Sequence, residues 1–342
     1  MDSKLPFVSV VTPVYNSEKV IGLCLEAIAS QDYPKELLEV ILPDGGSKDR
    51  TREIIDSYSG RLKIIHADNP LKTGEAGKAA AIDITKGEII ALIDSDNIMP
   101  SPDFISKMVE PFSDTSVFGT EPLYFECRKE DPAMTRYFAL AGINDPLCLF
   151  IGNYDRYSYI TGKWTGMKLA VEDRGAYLKI ALDERNIPTI GANGTFLRKS
   201  ALLKARYKPY LFDIDVVYEI VKSGINGFAK VKTGIVHLYS PDMASFVKKQ
   251  SRRVNDFLHF EKKQERSYPW ASFPVKGIAL FCISCALVLP LMFQAAAGFL
   301  RKRSIVWFFH LPVCYATLFI YAVTFIKARV FGRVAMKNRD KW

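Results

Sequence analysis

The sequence predicts an α/β protein built on a mainly parallel central sheet. Three observations lead there. Apolar runs of strand length alternate with helical patterns as far as about residue 120. Acidic residues fall just beyond the ends of two of those runs, where open α/β sheets bind ligands. Gly-rich or Pro-marked turns close the runs.

The elements follow in order. Residues 7–14, FVSVVTPV, read as a buried strand bounded by Pro13. Residues 18–30 place Val20, Ile21, Leu23, Leu25 and Ile28 at helical spacing. LLEVILPDGGS gives a second strand ending in a turn at Asp44-Gly45-Gly46, and Ser47 is expected to cap a helix starting near Arg50. LKIIH, 62–66, is a third strand, 75–85 a third helix, and EIIALID a fourth strand. Such alternation means right-handed crossovers between parallel strands.

The fourth strand runs into IDSDN, two acids one residue apart. Like charges that close repel unless a cation sits beside them. Asp94 and Asp96 therefore read either as a polar turn or as a divalent-metal site, and their place at a strand end favours the metal. After about residue 120 the regularity stops. Residues 150–164 are aromatic-rich and read as packing under a long loop or as an acceptor surface. AYLKIALDERNIPTIGANGTFLRKSAL reads as a hairpin followed by a helix start. LFDIDVVYEIVKSG reads as a helix with acids in its first turn, where the macrodipole favours them.

The chain has 342 residues, Lys+Arg 46 against Asp+Glu 37, a net +9. That excess suits nucleic acid, an anionic membrane face or phosphorylated substrates. Its location decides. Residues 246–266 are strongly basic, and 277–300 and 304–326 are free of charge apart from His310. Each uncharged run reaches the ~20 residues a bilayer span needs. The surplus thus belongs to a membrane boundary, and no nucleic-acid partner is expected. The positive-inside rule places the N-terminal domain and both basic flanks in the cytoplasm. Arg301, Lys302 and Arg303, between the two runs, conflict with that rule. The six cysteines show no disulfide or zinc spacing, which fits a reducing compartment. Residues 7–14 are too short an apolar run for a signal peptide.

VSVVTPVYNSEKVIGLCLEAIASQDYP, PDGGSKDRT, GKAAAIDITKGEIIALIDSDN and GANGTFLRKSAL together resemble the family 2 glycosyltransferases, which have the GT-A fold. The resemblance covers about 5–255. It implies inverting transfer of a sugar from a nucleotide-diphosphate donor. By it Thr12, Pro13, Tyr15 and Glu18 would hold the nucleoside, with turn geometry as the other reading. Asp44 would read the base edge, as an acceptor for a uracil-type N–H, or make an Asx turn. Lys78 would lie near the donor phosphates, or be a solvated helix residue. Asp94 and Asp96 match the DXD motif. Asp96 would coordinate Mg²⁺ or Mn²⁺, and Asp94 would contact the ribose or the metal shell. Asp213 matches the catalytic base, although Phe212 replaces the family's Glu. Asp215 is its rival, and either acid could instead serve the helix terminus. Asn193 and Gly194 match the loop bordering sugar and acceptor. Gln250 and Arg253 match QxxRW, but Val254 replaces the Trp that processive synthases use. Arg253 would bind diphosphate or a lipid headgroup, and Gln250 would lie on the acceptor side.

The expected organisation is a GT-A domain over 1–245 and a basic amphipathic interfacial segment over 246–272. Transmembrane helices over 277–300 and 304–326 and a basic cytoplasmic tail over 327–342 follow. The expected function is transfer of one sugar, from a UDP-sugar in preference to a GDP-sugar, at the cytoplasmic face of the cell membrane. The acceptor would be a polyprenyl phosphate or a lipid-linked glycan. A polysaccharide synthase and a non-catalytic sugar-nucleotide-binding scaffold are the alternatives.

Overall fold

A computed structural model describes residues 5–191, 193–263, 265–269 and 275–331. The chain divides into two compact units. Unit 1 is Met1–Leu123 with Lys168–His237, and unit 2 is Tyr124–Met167 with Leu238–Trp342.

Unit 1 carries a sheet whose first half follows the alternation in the sequence. The strands are β1 (Val8–Val11), β2 (Leu38–Asp44), β3 (Ile64–Asp68) and β4 (Ile89–Leu92). They lie in the order β3-β2-β1-β4, all parallel. Both faces are covered, so β1 and β4 are buried at every residue and read as unbroken apolar runs. Helices α1 (Ile21–Ala29), α2 (Thr51–Asp56) and α3 (Gly74–Ile82) make the crossovers. Ser47 does not cap α2. The Asp44 carboxylate captures it first, accepting from Ser47 N at 2.8 Å and Oγ at 2.7 Å, and Arg50 stands at the cap position.

The second half corrects the mainly parallel expectation to a mixed sheet. Its strands are β5 (Asn97–Ile98), β6 (Val117–Glu126), β7 (Ala170–Asp173), β8 (Tyr177–Ala181), β9 (Thr195–Arg198) and β10 (Gly227–His237). β9 pairs antiparallel with β4 and β6, and β8 pairs antiparallel with β7 and β10. The expected hairpin over 176–202 therefore does not form between β8 and β9. The true hairpin is β7–β8, and the helix start beyond β9 is present as α7 of unit 1, Lys199–Leu202. The connection before β9 is held by a buried carboxylate instead of a tight turn. Glu121 accepts from Gly191 N at 3.1 Å and Thr195 Oγ1 at 3.0 Å, and pairs with Lys230 Nζ at 2.6 Å. Glu121 and Lys230 are both fully buried.

Unit 1 also contains α4 (Phe104–Val109) and α8 (Asp213–Lys222). Unit 2 is helical: α5 (Ala133–Ala141), α6 (Leu147–Ile151), α9 (Met243–Lys262), α10 (Val275–Leu287), α11 (Leu289–Arg301) and α12 (His310–Phe331). Its core joins Tyr137, Phe138, Tyr239, Phe246, Trp307 and Val313. On α9 the side chains of Phe246, Gln250, Val254 and Phe260 are buried.

The expected transmembrane helix over 277–300 is the pair α10 and α11, bent by 95°. Val288 sits at the break with φ 62°, and Pro290 in the first turn of α11 has no N–H to continue the helix of α10. Among the described residues one stretch, Ile305–Val330, is long and apolar enough to cross a membrane, and the bent pair passes the same test only if taken as one broken span. Pro312 lies in the first turn of α12, where a missing N–H costs nothing. Residues 264 and 270–272 of the basic segment, and the tail beyond 331, lie outside the described residues.

The Glu121–Lys230 pair generates a prediction. Glu121→Ala leaves an ammonium buried without its counter-charge, which typically costs about 3–5 kcal/mol. A denaturant titration of the full chain in detergent should show the loss. A change below ~1 kcal/mol would mean that the pair is not under strong desolvation.

Candidate active site

Three loops at the strand ends of unit 1 converge through one lysine. Its position starts with small residues. Thr73 caps α3, its Oγ1 accepting from Ala76 N at 3.1 Å. A Cβ on Gly77 would stand 3.0 Å from Pro13 Cβ and 2.9 Å from Asn69 Nδ2. The absence of that atom lets α3 press onto the loop after β1. Lys78, next along, is only 4% exposed, so it is not a solvated helix residue. Its Nζ lies 3.2 Å from Asp94 Oδ1 and 3.5 Å from Asp213 Oδ1.

Asp213 is the first residue of α8. The helix start is tied to α3 because Leu211 N donates to Glu75 O at 2.9 Å. Burial pushes the Asp213 carboxyl up to about 6; Lys78 opposes the shift and Asp94 adds to it. Burial also works to lower the Lys78 ammonium, but Asp213 and Asp94 prevail and hold it above its usual value. Asp215, the rival, is buried at 4% exposure on the same helix; Asp213 is the acid beside Lys78.

Asp96 points elsewhere. Its Oδ2 is 3.7 Å from His237 Nε2. His237 ends β10 and pairs in register with Asn97 of β5, which sets the imidazole beside the acid. Asn97 is itself buried; its Nδ2 donates to Asn193 Oδ1 at 3.1 Å. His237 escaped the sequence reading. Its one signal was a histidine closing an apolar strand in a chain with four histidines.

The residues matched to the nucleoside loop are also in place. Thr12 is fully buried, and its Oγ1 has no hydrogen-bond partner among the described residues. Pro13 is buried against α3. The Tyr15 ring lies over Gly45, where an added Cβ would meet its Cδ2 at 3.1 Å. Glu18 is exposed and accepts from Arg50 N at 3.1 Å. Asp44 does make the Asx turn. Oδ1 serves Gly46 N and Ser47, while Oδ2 holds Arg52 Nε at 2.6 Å. Burial acts to raise this carboxyl, but Arg52 and Ser47 outweigh it and keep it below its ordinary value.

Gly194 has φ +83°, and a Cβ there would meet Ile235 Cδ1 at 2.8 Å. Backbone conformation and close packing therefore account for this glycine. Gln250 and Arg253 belong to unit 2. Gln250 Nε2 donates to Asp145 Oδ2 at 2.6 Å, and Arg253 Nη1 donates to Asn144 O at 3.2 Å.

Among the described residues no group of three or more His, Cys, Asp or Glu side chains is arranged to hold a metal ion. Asp96 and His237 form a pair of hard-oxygen and imidazole donors. The carboxylate suits either Mg²⁺ or Mn²⁺, while the imidazole favours Mn²⁺ over the harder Mg²⁺; a ligand's phosphate oxygens and water would complete the shell.

A mixed α/β sheet thus gathers acids, a buried lysine and a histidine at its strand ends. Residues 9–202, more than half of the chain, match the family described as Glycosyl transferase family 2, and the chain belongs to that family. Glycosyltransferase AglE of Haloferax volcanii is 38% identical over 120 residues, 34% of this chain and 39% of AglE. The poly(ribitol-phosphate) beta-N-acetylglucosaminyltransferase TarS of Staphylococcus aureus is 35% identical over 115 residues, 33% of this chain and 19% of TarS. Each match thus spans well under half of the relative. The mannosyltransferase PcManGT of Pyrobaculum calidifontis, solved with GDP-Man and Mn²⁺, has the same fold. It superposes with a TM-score of 0.52 at 16% identity, over 94% of this chain and 88% of that one.

Lys78→Met removes the one cation between two acids. The Asp213 carboxyl should then titrate above about 6, since Lys78 is what holds it down. A carbon-13 NMR titration of labelled aspartate in the full chain reads the midpoint. An unchanged or lowered midpoint would show that Lys78 does not govern this carboxyl.

Proposed function

We infer that the chain is an inverting, divalent-metal-dependent glycosyltransferase that moves a single sugar from a nucleotide-diphosphate sugar to an acceptor presented at a membrane. A lipid-linked glycan is the favoured acceptor, and the cytoplasmic face the favoured location. The observation that carries this reading is Asp213 beside Lys78 and Asp94. A carboxyl raised to about 6 is mostly ionised near neutrality, yet is a better proton acceptor than an ordinary aspartate. A hydroxyl acceptor requires such a base. A polyprenyl phosphate, already ionised, does not, so the raised carboxyl supports a sugar hydroxyl.

Each chain residue has a part in the proposed step. Tyr15 and Glu18 face the nucleoside. Asp44 offers Oδ2 to an N–H of the base once exposed Arg52 swings aside, which supports a uracil-type base. Asp94 meets the ribose. Asn193 lies beside the sugar, Gly194 lets that loop pack, and the acceptor approaches Asp213. The acceptor oxygen attacks the anomeric carbon as its proton passes to Asp213. The bond from that carbon to the diphosphate breaks with inversion, and the nucleoside diphosphate leaves with the electron pair. Asp96 and His237 would hold Mg²⁺ or Mn²⁺, which neutralises charge on the departing diphosphate. Lys78 balances the carboxylates on either side of it. Gln250 is proposed to serve the acceptor side, and Arg253 to bind diphosphate or a lipid headgroup. The apolar C-terminal helices and the basic stretch before them are proposed to attach the protein to lipid.

The base assignment has a pH signature. Asp213 is functional when ionised, so kcat/KM for a hydroxyl acceptor should fall as pH drops through about 6. Asp213→Asn should lower transfer to that acceptor by ~10²–10⁴ and abolish the acid limb, with donor affinity by calorimetry near normal. Near-wild-type transfer by this variant would remove Asp213 as the base and make Asp215 the next residue to test.

The metal assignment is tested separately. Asp96→Asn and His237→Ala should each abolish the Mn²⁺-dependent part of nucleotide-sugar binding while leaving the circular dichroism of the chain unchanged. Full Mn²⁺-dependent binding by both variants would dismiss the pair.

A further inference from the structure

The basic tip Arg301-Lys302-Arg303 is expected on the far side of a membrane hairpin, yet Arg301 is fastened to a loop of unit 2. Its Nη1 donates to Tyr159 O at 3.1 Å and Ile160 O at 2.7 Å. The guanidinium also covers Gly162, where an added Cβ would meet Nε at 3.0 Å. The next residue is fastened too: Lys302 O accepts from Trp307 Nε1 at 2.8 Å, and Trp307 is buried with its ring 6.4 Å from Tyr137.

Chain connectivity fixes which side of a membrane that loop occupies. Residues 159–162 lie between β6 and β7, two strands of one sheet. Between those strands no helix is long and apolar enough to cross a bilayer. The loop, and with it Arg301, stays on the side that holds the sheet. The other end of the bent pair is anchored as well, because a Cβ on Gly277 would stand 2.9 Å from Phe150 O. α10 thus starts against unit 2 at Gly277, stays packed on it through Phe281 and Cys285, turns by 95° into α11, and is fastened to it again at Arg301.

α12 is held at two points. His310 Nδ1 meets Tyr137 Oη at 2.9 Å, and Tyr321 Oη donates to Asp145 Oδ2 at 2.7 Å. Asp145 Oδ2 also accepts from Gln250 of α9. From His310 to Tyr321 the helix rises about 17 Å. A helix crossing a ~30 Å hydrocarbon core would leave the protein surface over that length; α12 stays on it.

Resting on the membrane attachment inferred above, we propose that residues 275–331 form a re-entrant insertion into a single lipid leaflet. The tip and the end of α12 then lie on the same side as the sheet. The outward side chains suit acyl chains: Phe293 is 72%, Leu300 81%, Ile305 73%, Phe308 83% and Phe319 68% exposed. All five fall within residues 293–319, and clustered exposed apolar side chains mark interaction or membrane sites. Exposed Lys276, Arg303, Lys327 and Arg329 flank it, which matches anionic headgroups. All basic clusters then share one side, and the conflict with the positive-inside rule disappears.

Single cysteines test the topology. Arg303→Cys, Arg329→Cys and, as a unit 1 marker, Glu184→Cys are placed in a cysteine-free chain. A membrane-impermeant maleimide is applied to spheroplasts and to inverted vesicles. All three sites should label in the same preparation and to the same extent. Labelling of residue 303 or 329 from the face opposite residue 184 would overturn the proposal in favour of a spanning helix. If the cysteine-free chain does not fold, a protease site inserted after Arg303 in the natural chain gives the same reading by cleavage from one face. Loss of the unaltered chain from vesicles in a high-salt wash would sink the membrane attachment itself, a separate failure. A detergent-free dimer of the unaltered chain in solution would assign the apolar surface to a second copy and also overturn the proposal.

Discussion

One ammonium group organises the candidate site. Lys78 Nζ stands between Asp94, at the end of a parallel strand, and Asp213, at the start of a helix far along the chain. Without a cation there, two partly buried carboxylates would face each other, where repulsion is screened less than in open water. The same contact sets the chemistry. Lys78 restrains the rise that burial imposes on Asp213, leaving the carboxyl at about 6 and not higher. An acid poised there is mostly ionised at neutral pH and still basic enough to take a proton. Packing reaches the same spot from the other side, since Gly77 allows α3 to approach the Pro13 loop closely.

The antiparallel half of the sheet depends on a second buried charge pair. Glu121 and Lys230 are fully enclosed, and the carboxylate also binds Gly191 N and Thr195 Oγ1. It thereby fixes the segment that leads to Asn193 and Gly194. A loop of that length would otherwise carry unsatisfied backbone groups inside the protein. Gly194 completes the arrangement with a positive φ and no room for a side chain. The loop bordering the candidate sugar site is held by charge and by the absence of an atom.

Unit 2 uses polar contacts where its composition suggests only lipid. Tyr137, His310 and Gln294 form a hydrogen-bonded chain, and Asp145 collects Gln250 and Tyr321. In an apolar setting each such group is costly unless paired, so these contacts fix how the C-terminal helices lie against the body. Gln250 and Arg253, recognisable in the sequence as part of a motif, are drawn into this network, with Arg253 over the Tyr239 ring at 5.5 Å. The absence of a Trp at position 254 also has a structural counterpart: Val254 is buried.

The sequence by itself determined the parallel half of the sheet, the acids beyond its strands and the apolar character of the C-terminal region. Those features are local: strand-length apolar runs, turn residues and acids at fixed offsets are written in consecutive residues. It showed Asp213 only as one of two acids in the first turn of a helix, and singled it out from Asp215 through the family resemblance alone. Only the tertiary structure decided which groups meet. Nothing local joins Lys78 to Asp213, and nothing local sets His237 beside Asp96; both depend on strands and helices arriving from distant parts of the chain. The antiparallel pairing of β9 was hidden for the same reason, because its partners β4 and β6 are not its neighbours in sequence. Composition marked 277–300 as apolar but could not give its path. The bend at Val288 and the hydrogen bonds of Arg301 to residues 159 and 160 are long-range facts, and they decide whether an uncharged segment crosses a membrane or turns back.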